Sequence, residues 1–174
     1  MDVETSLRFE RTRLIIFAWP DRTYTDEIAR WSRNFPPENV LLAGRDGGHA
    51  FARNAAVEEL VKPAPKDITD FIFIDRDMRP GDATVPFLGP DADVVGCLYP
   101  VGNMAGWAEP DALHCGLLRF SRKVVDQLPL PWFAFEYDDV GRVVKCECET
   151  FRNKVKAAGL SIARAGWCGH KDWR

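Results

Sequence analysis

An α/β fold, with a central, mostly parallel mixed sheet flanked by helices, is predicted by three observations. Short β-rich apolar runs alternate with stretches of helical periodicity through the first hundred residues. One run, "DFIFI" (70–74), is apolar without alternation, the pattern of a strand buried in a parallel sheet. The runs are joined by helical stretches rather than tight turns, as parallel strands require.

The elements follow in order. "RLIIFAW" (13–19) reads as a buried strand. "TDEIARWSRNF" reads as a helix with Ile28, Trp31 and Phe35 on one face and Thr25 or Asp26 as its cap. "NVLLAG" (39–44) is a second strand, and "HAFARNAAVEELVK" (49–62) a second helix that must stop before Pro63. "DFIFI" and "ADVVGCLY" (92–99) are the third and fourth strands. "LHCGLLRF" (113–120) is a further strand, and "SRKVVDQL" a short helix capped by Ser121. Residues 129–146 are loop with room for short strands. "ETFRNKVKAAG" is a helix with Phe151, Val155 and Ala158 on one face, stopped by Gly159. "LSIARAG" supplies a last strand. No linker separates the halves, so 174 residues are read as one domain.

Composition bounds the function. A formal charge of 23 − 26 = −3 does not suggest a broad cationic nucleic-acid surface. The run "LIIFAW" (14–19) is too short to span a membrane and lacks a cleavage site. Five cysteines, an odd number, without an export signal suggest reduced thiols and a cytoplasmic protein.

The chemistry concentrates at "DFIFIDRDMRP" (70–80). In such sheets ligands gather at the carboxyl ends of the strands. Asp75 and Asp77, one residue apart at such an end, repel each other unless a cation lies between them. Carboxylate oxygens suit Mg²⁺ or Mn²⁺, and such an ion neutralises a diphosphate. The plainer alternative is a pair of turn caps before Pro80-Gly81.

An apolar strand ending in "DRDM" after the helix "ARNAAVEEL" resembles the nucleotide-sugar half of GT-A-fold glycosyltransferases, in a family-2-like, compact form typical of phage or bacterial enzymes. "CGLLRFSRKVVDQL" then "PWF" (131–133), "ECETFRNKVKAAG" and "CGH" (168–170) resemble, in order, that family's acceptor-side motifs and terminal histidine. The resemblance implies a single Rossmann-like GT-A domain over 1–174, with a nucleotide-sugar half to about residue 100 and an acceptor half with a metal-binding tail after it. It implies a metal-dependent, inverting hexosyltransferase using a nucleoside-diphosphate sugar of UDP or GDP type. Asp75 would bind ribose or metal, Asp77 and His170 the Mn²⁺ or Mg²⁺, and Arg53 and Asn54 would lie near the nucleotide. Gly116 would allow close approach of the acceptor. The acceptor is open: glycan, protein, small molecule or modified DNA base. The chain departs from the pattern at Cys148, where the family places its catalytic aspartate, which leaves Glu147, Glu149, Asp138 and Asp139 as candidate bases.

Other readings stand beside this one. Glu147 and Glu149 also suit a helix N-terminus, and Asp138-Asp139-Val-Gly a plain turn. His114 reads as a core histidine. Trp107, Trp132 and Phe133 suit either an acceptor pocket or the core. Lys171, Trp173 and Arg174 are a solvated tail or a flap over the diphosphate. Cys146, Cys148, Cys168 and His170 offer a donor set for Zn²⁺ at tight spacing. A haloacid-dehalogenase-like phosphatase would use Asp75 as nucleophile, Asp77 as acid, Lys123 on the phosphate and Asp138-Asp139 on Mg²⁺. A nucleotide-binding module without catalysis is the third option.

Overall fold

The computed structural model describes residues 8–18, 21, 23–44, 48–100 and 112–170. Its strands are β1 (Thr12–Phe17), β2 (Val40–Ala43), β3 (Asp70–Asp75), β4 (Met78–Arg79), β5 (Val94–Leu98), β6 (Leu117–Ser121), β7 (Glu136–Tyr137), β8 (Val143–Lys145), β9 (Ile162–Trp167) and β10 (Gly169–His170). Its α-helices are α1 (Asp26–Trp31), α2 (Gly48–Ala56), α3 (Arg122–Gln127) and α4 (Glu147–Ala157). Six strands form the central sheet in the order β2-β1-β3-β6-β5-β9. β1 runs parallel to β2 and β3, and β5 parallel to β9, while β6 lies antiparallel between β3 and β5. The predicted mixed sheet is therefore observed, with strands of both halves in it.

The side chains of β3 alternate between two cores. Phe71 and Phe73 point to the face carrying α2, α3 and α4, where they meet Val57, Val124 and Phe151. Ile72 and Ile74 point to the face carrying α1, with Ile28, Trp31 and Phe87. All four are fully buried, each stabilising the fold by about 1.5–3 kcal/mol. This two-sided burial is why the run shows no polar alternation.

Local details differ from expectation in five places. α1 ends at Trp31 and a 3-10 turn (Ser32–Asn34) carries the chain to the buried Phe35. The second helix widens into a π-helical turn over Val57–Val61, closed by the Lys62 N–H to Val57 O bond at 2.9 Å. β6 begins only at Leu117, because Cys115 and Gly116 form a turn ahead of it. Ser121 occupies the cap position of α3, but its hydroxyl makes no capping bond; the Arg122 N–H instead donates to Thr69 O at 2.7 Å. Ala158 is exposed, since it is the C-terminal cap of α4 rather than part of its buried face. Among the described residues no helix is long and apolar enough to cross a membrane.

Candidate functional site

β3 ends at Asp75, and the chain turns through Arg76 and Asp77 into β4. The turn is held from two sides. On one, the Thr25 N–H donates to Arg76 O at 3.1 Å, and the Thr25 hydroxyl, which accepts from the Ile28 N–H, donates to Met78 O at 2.5 Å. The same residue thus caps α1 and fixes the turn. On the other, β10 pairs antiparallel with β4, setting His170 opposite Met78. Gly169 is needed there for close approach, not for an unusual turn: a Cβ on it would lie 3.0 Å from that of Arg79.

These two supports bring Asp77 and His170 together across 93 residues, with Nε2 3.2 Å from Oδ2. Their side chains keep 22% and 27% of their surface exposed, enough to reach a ligand from solvent. The Tyr99 ring lies beside that of His170, 5.7 Å between centroids. The Tyr99 hydroxyl accepts the Gly116 N–H at 2.9 Å, and a Cβ on Gly116 would lie 2.5 Å from that oxygen. The close neighbour that requires glycine at 116 is thus Tyr99. Burial pushes the Tyr99 phenol up, and the nearby Asp75 adds to this.

Asp75 turns its carboxylate the other way, toward α2. Nη2 of Arg53 donates to its two oxygens at 2.9 and 2.8 Å, and Nη1 of Arg53 lies 3.3 Å from Oε1 of Glu147, the first residue of α4. Arg53 is 2% exposed. Burial alone would lower its pKa, but Asp75, the thiols of Cys115 and Cys148, and Glu147 outweigh burial and raise it, so the guanidinium stays charged. Desolvation pushes the Asp75 carboxyl up, Arg53 and then His49 oppose this, and Asp77 and Glu147 reinforce it. The cation beside Asp75 is therefore an arginine.

The other candidates divide. The Asn54 side chain is engaged with backbone: it donates to Phe133 O at 2.7 Å and accepts the Trp132 and Phe133 N–H groups at 2.8 and 3.1 Å. Trp132 and Phe133 are fully buried and stack with Phe151, as core residues rather than pocket lining. Glu149 is more open, its side chain 39% exposed and 4.0 Å from Arg152. His114 is half-buried beside Tyr99; burial and then the charge of Arg164 lower its pKa, with Glu147 opposing. Trp107, Lys171, Trp173 and Arg174 lie outside the described residues.

Two alternative constellations are not assembled. Cys168 is fully buried in the core on the α1 face, whereas Cys148 packs against the opposite core, so these thiols do not form one zinc site with His170. Lys123 pairs with Asp93 at 3.1 Å, beyond the Asp70 end of β3, and Asp138 accepts the Val140 and Arg142 N–H groups in the β7–β8 turn. With Asp75 held by Arg53, the phosphatase roles fall in three separate places.

Sequence reasoning missed three neighbours of the site. Tyr99 carried no pattern beyond strand ending, His49 stood at a helix start, and Cys115 was read only as part of a strand. Among the described residues, the donor atoms of Cys146, Glu147 and Cys148 all lie within 4.8 Å of one another.

No family model matches the chain, and no curated protein matches it in sequence. Solved structures do match its fold. A197 from STIV shares 14% identity at a TM-score of 0.58, over 92% of this chain and 81% of that one. A mutant of Drosophila β1,4-galactosyltransferase 7, in complex with manganese, UDP-Gal and xylobiose, shares 13% identity at 0.54, over 88% of this chain and 64% of its own. A nucleoside-diphosphate-sugar pyrophosphorylase from Vibrio cholerae shares 13% at 0.51, over 97% and 78%. This chain, then, has a GT-A-like glycosyltransferase fold, and spans a little under two thirds of the galactosyltransferase chain.

Proposed function

We propose that this protein transfers a sugar from a nucleoside-diphosphate sugar to an acceptor hydroxyl, with inversion, using a divalent cation held by Asp77 and His170. The observation that carries the reading is the meeting of those two side chains, 93 residues apart in sequence, at the carboxyl edge of the sheet. A carboxylate with an imidazole suits Mn²⁺ better than Mg²⁺, which prefers oxygen donors. When bound, such an ion neutralises the diphosphate of the leaving nucleotide.

The remaining roles belong to the chain itself. Arg53 holds the Asp75 carboxyl at the rim and opposes the upward push of burial on it, and the carboxyl there can hydrogen-bond a ribose. Glu147 is the base: it takes the acceptor hydroxyl proton as the oxygen attacks the anomeric carbon. Arg53 orients it from 3.3 Å away. Tyr99 supports the His170 ring from the side.

Calorimetry with UDP and GDP, with and without Mn²⁺, tests the donor site. Mn²⁺-dependent binding that disappears in both Asp77→Ala and His170→Ala supports the proposal. Equal affinity in wild type and variants overturns it. Turnover that releases a nucleoside diphosphate points to sugar transfer, whereas pyrophosphate release would make the reaction nucleotidyl transfer.

A further inference from the structure

Three of the five thiols gather at the N-terminus of α4. Cys146 is its capping residue and Cys148 lies in its first turn, while Cys115 arrives from the turn before β6. The Cys115 N–H donates to Cys148 Sγ at 3.3 Å, which fixes that sulfur beside the turn before β6. The sulfurs of Cys146 and Cys148 and a carboxylate oxygen of Glu147 lie within 4.8 Å of one another. The thiol of Cys146 makes no capping bond, and its residue is exposed, so the cluster has an entry from solvent.

We propose that Cys146, Cys148 and Glu147 form a binding site for a thiophilic cation, Zn²⁺, separate from the Asp77–His170 pair. Two sulfurs and one carboxylate supply three donors and leave the fourth tetrahedral position to solvent, and thiolates select Zn²⁺ over Mg²⁺ or Mn²⁺. Zn–S bonds of about 2.3 Å place tetrahedral sulfurs about 3.8 Å apart, so the two sulfurs, within 4.8 Å of each other, need close by no more than about 1 Å, the scale of side-chain rotation. Each thiol releases one proton to solvent as it binds. The Cys146 thiol is pushed up by its contact with Cys148 and by burial, and that of Cys148 by Cys115, burial and Glu147 against the opposing contact with Cys146, so the metal itself must supply the drive to deprotonate them. Drawing Glu147 to the ion removes it from Arg53, 3.3 Å away. Zinc therefore antagonises the reaction, a consequence that rests on the proposed transferase role; the binding itself does not.

The test uses the full, reduced chain stripped of metal. Zinc is titrated against a chromogenic chelator, and Co²⁺ is added separately to look for thiolate-to-metal absorption. One equivalent of zinc with that absorption is expected. Affinity should fall at least about 10-fold in Cys148→Ser and in Cys146→Ser, since even outer partners of a metal carry that much. The exposed Cys146 provides a variant whose fold is undisturbed. Cys168→Ser and Asp77→Ala should bind zinc like the wild type, which separates this site from the donor site. Absence of stoichiometric zinc, or unchanged affinity in Cys146→Ser, overturns the proposal, as does loss of zinc in His170→Ala alone.

Discussion

One nitrogen of Arg53 serves both oxygens of Asp75, at 2.9 and 2.8 Å, while its neighbour on the same guanidinium faces Glu147 at 3.3 Å. A single buried cation thus joins the end of β3 to the start of α4, 72 residues further along the chain.

Arg53→Met removes this charge and leaves two carboxylates facing each other without it. Breaking a buried pair from one side costs about 3–5 kcal/mol. The urea midpoint should fall accordingly with an unchanged slope. Adding Asp75→Asn to the same chain should recover part of the loss, because the stranded charge goes with it. An unaltered midpoint would show that the pair contributes nothing to stability.

Glu147→Gln keeps the shape of the side chain and abolishes its basicity. Turnover should drop by about 10²-fold or more, with nucleotide affinity retained. Steady-state kinetics alongside calorimetry separates the two quantities. Full turnover in this variant would pass the role to Glu149, whose carboxylate is the more open of the two.

Gly116→Ala drives a methyl group into the Tyr99 phenol, 2.5 Å from its oxygen and 2.7 Å from the carbon bearing it. Neither Tyr99 nor β6 has space to yield, both being buried. Overpacking of this kind costs about 1–3 kcal/mol. The shifted ring should also weaken Mn²⁺-dependent nucleotide binding through His170. A variant with wild-type melting temperature would contradict the close packing.

Asp93 ties the start of β5 to the start of β9. Its Oδ2 accepts the Ser161 N–H and hydroxyl, both at 2.8 Å, and the Lys123 ammonium at 3.1 Å. Desolvation pushes its carboxyl up, but the Ser161 bonds and Lys123 outweigh this and hold it below the usual range. A carboxyl with a lowered native pKa stabilises fully above its unfolded value of about 3.9, and that stability is lost as pH falls through the native value. Asp93→Asn should therefore cost at most about 1 kcal/mol at neutral pH, since solvent screens these exposed contacts. The gap to wild type should close below about pH 4. A gap independent of pH would assign the effect to shape rather than charge.

Much of the sheet was legible because its signals are local. The unbroken apolar run of β3 reports burial on both faces, and Thr25 sits where a cap must. The order of strands was less legible: nothing in "LLRF" states that it inserts antiparallel between β3 and β5. The site was legible as a list of residues and not as a set of partners. Asp75, Asp77 and His170 stood out, but pairing is decided by which way each side chain leaves the edge. Asp75 shares the face of Phe71 and Phe73, where α2 brings Arg53, whereas Asp77 lies in the turn beyond, within reach of β10. Gly116 shows the same limit, since a glycine reports that something comes close without saying what.

The distance along the chain between Asp77 and His170 also sets an order of events during synthesis. At about 5–20 residues per second, a ribosome adds His170 roughly 5–20 s after Asp77, the two lying 93 residues apart. Arg53 precedes both aspartates, so the nascent strand β3 emerges with a countercharge for Asp75 already made. β1, β2 and β3 are complete by then, but β4 still lacks β10. The nascent chain thus carries a countercharge for Asp75 well before His170 exists to meet Asp77, and on the proposed function a chain stalled short of β10 lacks one of the two cation ligands.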